Sequence, residues 1–130
     1  MKTESVTEAI ALAKQMGHVF VATADDEGRP HIAVAGEVKY VKEGRLAVSA
    51  WFCPVTLSNL QINRHIALVV WDKDRDAGYQ VLGESEKIEG VAMMDGYTPT
   101  LEKPIPQVER RITMRVTKVT DFMHAVHTDL

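Results

Sequence analysis

LAVSAWFCPVTLSNLQINRHIALVVWD, residues 46 to 72, is the stretch whose reading decides the fold. Leu46 to Ala50 and Ile66 to Trp71 are apolar on both faces, as strands covered on both sides are. Between them, Val55 to Asn63 is polar at Thr56, Ser58, Asn59 and Gln61, a pattern that predicts a short helix. Pro54 suits its first turn, where no intrahelical amide bond is lost. The stretch therefore reads as strand, tight turn at Cys53-Pro54, helix, strand. The free amides of Val55, Thr56 and Leu57 then point back at the end of the first strand, where an anion can sit.

Working outward toward the N-terminus, Glu37 to Val41 alternates polar and apolar and Lys42 to Arg45 turns it into the Leu46 strand. Before it, His18 to Ala24 and Pro30 to Gly36 read as a hairpin around Asp25-Asp-Glu-Gly28. Ser5-Val-Thr-Glu8 has the spacing of a capping box, and Val6, Ala9, Ile10, Ala13 and Met16 recur on one helical face that Gly17 ends. That face is narrow, so the helix should lie on a sheet or plug a barrel mouth.

Working outward toward the C-terminus, Asp72 to Asp76 predicts a solvated, mobile loop with a position suited to a lid. Tyr79 to Glu89 reads as a longer, more polar strand, expected at a sheet edge, with Gly83 as a bulge or close-approach site. Gly90 to Gln107 holds Gly96, Pro99, Pro104 and Pro106, and predicts irregular chain with one helical turn near Val91 to Met94. Arg110 to Lys118 alternates as a strand, and Val119 and Phe122 break the alternation as a bulge does. Strands recurring about every ten residues suit a mainly β fold, an antiparallel barrel or sandwich of about six or seven strands.

Fifteen Lys+Arg against eighteen Asp+Glu give a net charge of −3, with no basic patch for nucleic acid. A single cysteine permits no disulfide, and no run is long and apolar enough for a signal peptide or a membrane span. These features place the expectation in a reducing cytoplasm. One domain is expected over 1–130: an N-terminal helix to 17, a barrel over 18–120, and a frayed tail over 121–130. A nucleophile elbow, a His-Glu-x-x-His helix and a Cys-x-x-Cys pair are all missing from the sequence.

The order of elements, the Asp-Glu-Gly-Arg-Pro-His turn at 26–31 and the run Asn59-Leu-x-x-Asn63-Arg-x-Ile-Ala-Leu-Val resemble the flavin-binding split barrels related to pyridoxamine 5′-phosphate oxidase. This resemblance implies an FMN-binding split barrel, antiparallel, with an N-terminal helix and a short inter-strand helix. It also implies a homodimer that binds flavin mononucleotide in clefts between its subunits. The implied activity is a flavin-dependent oxidoreductase working between reduced nicotinamide and an acceptor. Alternatives are a flavin-binding electron carrier without its own substrate, and a split-barrel binding module that has lost flavin.

In such proteins a cation and a hydroxyl at the start of the short helix grip the flavin phosphate. The matching positions here are Val55 and Thr56, so the hydroxyl is present and the cation is not. The helix amides, Thr56 and Ser58 would hold the phosphate, and Arg29, Lys39, Arg64 or Arg115 could reach it from elsewhere. The ring would lie along Ser49, Ala50, Trp51, Phe52 and Cys53, facing Val34, Ala35, Gly36 and Glu37. Trp51 and Phe52 serve equally well as interface or core residues. Cys53, before a helix N-terminus, reads as a reactive thiol or as buried filler. His124 and His127 have a spacing that a metal could use in a helix, but a polar tail reads better, and no metal is expected. A dimer is expected also because Trp51 and Trp71 end what look like adjacent strands.

Overall fold

The computed structural model describes residues 3–50, 54–96 and 105–125. Helix α1 spans Thr3–Met16, followed by strands β1 (Val19–Ala24), β2 (Pro30–Ala35), β3 (Glu37–Lys42) and β4 (Arg45–Ala50). Helix α2 spans Pro54–Ile62, and strands β5 (His65–Asp72), β6 (Ala77–Gly96) and β7 (Ile105–Asp121) complete the order. All seven strands form one antiparallel sheet in the order β2-β1-β5-β6-β7-β4-β3. Gly36 alone links its two outermost strands, so the sheet curls upon itself as a split barrel without closing.

Strand alternation builds the interior. Val19 and Val21 from β1, Leu46 and Val48 from β4, Ile66, Leu68 and Val70 from β5, and Ile112, Met114 and Val116 from β7 all point inward. Val6, Ala9, Leu12 and Ala13 of α1 cover this core from one end. The helix is pinned by Tyr79, whose hydroxyl donates to Glu8 Oε2 at 2.6 Å, and by Arg75, which donates to Gln15 Oε1 at 3.3 Å. Gly17 ends α1 as expected, with φ +82° and its amide on the Ala13 carbonyl at 2.9 Å. The capping box is not the start, because helical geometry already begins at Thr3.

Several expectations change. The Tyr79 to Glu89 strand is no edge: β6 lies between β5 and β7. Its polar outer side chains are instead paired, Glu84 with Arg115 and Arg64, Glu86 with Arg45, Glu89 with Lys87. Gly90 to Gly96 is strand rather than irregular chain or a helical turn, and Ile105 and Pro106 already belong to β7. A continuous ladder from Ala92↔Glu109 to Gly96↔Ile105 satisfies the backbone there and overrides local propensity. Residues 97–104 lie outside the described ones. The β5 strand is covered on one face only, its other face being half-exposed.

Gly83 is a close-approach site, as read: a Cβ there would stand 2.1 Å from the Arg115 carbonyl oxygen. The β7 bulge falls at Thr117, between the pairs Leu82↔Lys118 and Gly83↔Val116, and not at Val119 or Phe122. The extra residue is what shifts the later alternation, and Thr117 Oγ1 donates to the Leu82 carbonyl at 3.1 Å. The Asp72 to Asp76 loop is also no free lid. Asp72, itself buried, accepts from the amides of Asp74 and Arg75 and from Arg75 Nε at 2.7 Å.

Candidate functional site

The corner at Gly36 returns the chain antiparallel to β4, and the register places Glu37 opposite Ser49. Two stretches far apart in sequence, 34–37 and 49–50, thus meet at one end of the sheet. Opposed residues share a face, with Cβ atoms about 4.5–5.5 Å apart. The next strand in the same row supplies Arg111, opposite Ser49, and Arg110 stands opposite Ala50. Arg111 is exposed and makes no ion pair among the described residues. Its acidic row-mates are already occupied, Glu37 by Lys39 at 3.3 Å and Glu89 by Lys87 at 3.5 Å.

The individual positions differ in what they offer. Val34 is 58% exposed, Ala35 is fully buried, and Gly36 and Glu37 are exposed. A Cβ at Gly36 would meet nothing within 4 Å, so the corner leaves open space. Ser49 and Ala50 are half-buried, and Ala50 packs on the core. Trp51, Phe52 and Cys53 lie outside the described residues, as does His127. At the start of α2, Val55 is 50% exposed and uncharged, Ser58 is exposed, and Thr56 is fully buried and already engaged within the protein. A ligand outside α2 therefore reaches the Ser58 hydroxyl and not the Thr56 side chain.

All four of the cations named for the site are already paired, Lys39 with Glu37 as given above. Arg29 donates to Asp25 at 2.7 Å, Arg115 to Glu84 at 3.1 Å, and Arg64 lies 4.0 Å from Glu84. Only Lys39 lies near, two residues along β3 from Glu37. Arg111 was missed because only the β4–β7 register, which local sequence does not encode, brings it to Ser49. The corner at Gly36 is open, and Ser58 and Arg111 are exposed side chains able to donate to an anion.

The sequence motifs around the site prove to be structural pins. Asn59 Nδ2 donates to Thr23 Oγ1 at 3.1 Å, both side chains buried, which locks α2 onto β1. Asn63 Oδ1 accepts from the His65 amide at 3.1 Å and sets the entry into β5. Asp25 accepts from the amides of Glu27 and Arg29 and from Arg29 Nε. The Arg29 side-chain hydrogen bond, then its amide, holds the Asp25 carboxyl below the usual range.

Residues 6–120 match the family profile of pyridoxamine 5′-phosphate oxidase. No curated protein matches the chain. Among solved structures, an FMN-binding protein from Syntrophomonas wolfei is 14% identical with a TM-score of 0.68, over 96% of this chain and 89% of that one. A Clostridium acetobutylicum protein related to general stress protein 26, of the pyridoxinephosphate oxidase family, is 17% identical with a TM-score of 0.66, over 95% and 92%. HutZ, the heme storage protein from Vibrio cholerae, is 12% identical with a TM-score of 0.53, over 92% and 94%. At such identities the likeness is one of fold.

Proposed function

This chain belongs to the pyridoxamine 5′-phosphate oxidase family, and we propose that it binds flavin mononucleotide at the corner between β2–β3 and β4–α2. Its activity would be that of a flavin-dependent oxidoreductase, working between reduced nicotinamide and an acceptor whose identity the fold does not specify. The observation that carries this reading is the row Glu37–Ser49–Arg111, which sets a guanidinium with no ion-pair partner among the described residues in line with the open corner. Bound flavin supplies the electron-transfer chemistry, and the protein supplies binding, orientation and exclusion of water. Val34 to Glu37 and the strand end at Ser49 and Ala50 would bed the ring. Ser58, the first amides of α2 and Arg111 would hold the phosphate.

Because Val55 brings no charge, phosphate affinity should be modest. Val55→Lys should tighten flavin mononucleotide about tenfold, the worth of one charge-assisted hydrogen bond, and leave riboflavin unchanged. Flavin fluorescence titrations of both ligands into both proteins measure this. Equal affinities of wild type and variant for the phosphorylated ligand would remove the phosphate from α2. The exposed, uncharged Val55 also favours a second reading, a binding module that has lost flavin. Failure of both proteins to bind either flavin at micromolar concentration selects it.

We further propose that the protein works as a homodimer. Phe20, Ile32 and Val34 form an outward apolar patch across β1 and β2, with Phe20 opposite Val34 and Ala22 opposite Ile32. Patches of this kind are covered in obligate interfaces.

A further inference from the structure

A cleft of about 580 Å³ opens between α1 and β3, within the range of small-molecule sites. Ile10, Ala13 and Val38 make its apolar floor, and Lys14, Lys39 and Tyr40 stand on its rim. Glu37 is spent on Lys39, whereas Lys14 makes no ion pair or hydrogen bond among the described residues. Two ammonium groups thus face one carboxylate, leaving one positive charge over an apolar bed. The opening is also unobstructed at Gly36, whose φ lies outside the left-handed region, so a side chain there could be added without backbone strain.

We propose that this cleft binds a small molecule with an apolar, ring-sized body and a single anionic group, held by Lys14. The cleft shares Gly36 and Glu37 with the proposed flavin corner, so the further step that its ligand is the electron acceptor rests on the flavin reading. Its capacity to bind such an anion does not.

The test titrates anilinonaphthalene sulfonate, an anion with an apolar body, and the neutral phenylnaphthylamine into wild type, Lys14→Glu and Gly36→Leu. Circular dichroism checks that all three fold. The sulfonate should saturate at one per chain in wild type. Lys14→Glu should weaken it roughly tenfold while barely changing the neutral dye, as loss of a charged contact does. Gly36→Leu, which fills the opening, should weaken both. If Lys14→Glu binds the sulfonate as wild type does, the dye sits elsewhere, such as the Phe20–Ile32–Val34 patch, and the proposal falls. Flavin titration of Lys14→Glu separates the two readings. Sulfonate binding that responds to Lys14 with no flavin bound by any variant keeps the cleft and removes the flavin. Flavin binding with an unresponsive sulfonate does the reverse.

Discussion

Asp76 is the residue on which most of the chain's late geometry turns. It holds φ +49°, a left-handed conformation that Asp tolerates better than most side chains. Its carboxylate accepts from the His124 amide at 2.7 Å, the Ala125 amide at 2.9 Å and Trp71 Nε1 at 3.0 Å. Those donors, led by the His124 amide, hold its carboxyl below the ordinary value. A depressed carboxyl stabilises the fold above its unfolded value of about 3.9, and that contribution is lost as pH falls through the folded value. Asp76→Ala should therefore lower the urea midpoint at pH 7 and shrink that difference below about pH 4, with Trp71 emission shifting red. An unchanged midpoint would mean that the clasp adds nothing. Little of this was legible in the sequence, where Asp76 is one acid in a charge run and its two amide partners lie 48 and 49 residues away. The reverse holds at Asn59. Its place in the sequence pattern was plain, but the reason is the buried bond to Thr23 rather than chemistry at the site. Asn59→Ala should cost about 1–3 kcal/mol, leaving Thr23 unsatisfied, as measured by urea denaturation.

At the scale of elements, the hydrophobic periods located α1, the β1–β2 hairpin and the strand-helix-strand unit, because burial on a repeating face is a local signal. They failed where partners decide. The β6 strand is polar enough to read as an edge, yet ion pairs to Arg45, Arg64 and Arg115 let it lie inside the sheet. The same non-local register brought Arg111 to Ser49. Trp71 and the end of β4 are likewise not neighbours, since β6 and β7 intervene. The docking of α1 onto β6 is held at its exposed side by Tyr79 and Glu8. That hydrogen bond, more than desolvation, raises the Tyr79 hydroxyl to about 12. A raised pKa contributes stability fully below the unfolded value of about 10 and loses it as pH rises toward the folded one. Tyr79→Phe should cost about 1 kcal/mol near neutral pH, discounted for solvent, and the gap to wild type should close between about pH 10 and 12. Thermal melts across that window measure it, and a gap that persists would assign the cost to packing.

For the whole molecule, the question is what covers the outer face of β1 and β2. The tryptophans first suggested a dimer, but Trp71 is already occupied, bonded to Asp76 and set edge-on to Phe122 at 6.3 Å. The stronger argument is Ile32, 65% exposed, beside Val34 and Phe20 on a strand that ends the sheet. An apolar sheet edge left open invites uncontrolled pairing, which proteins avoid by covering it or charging it. Lys39 and Lys42 charge β3, the opposite edge, whereas β2 offers only Pro30 and His31 against Ile32 and Val34. A second copy is the simplest cover, and it would also stand over Val34, one of the residues proposed to bed the flavin. Ile32→Glu should then convert a dimer into a 14.5 kDa species in sedimentation at micromolar concentration. Flavin affinity should fall with it, although Ile32 lies outside the residues assigned to the cofactor. A wild type that sediments as a single chain would end the dimer argument. A monomeric variant that keeps full flavin affinity would keep the dimer and confine the cofactor to one subunit.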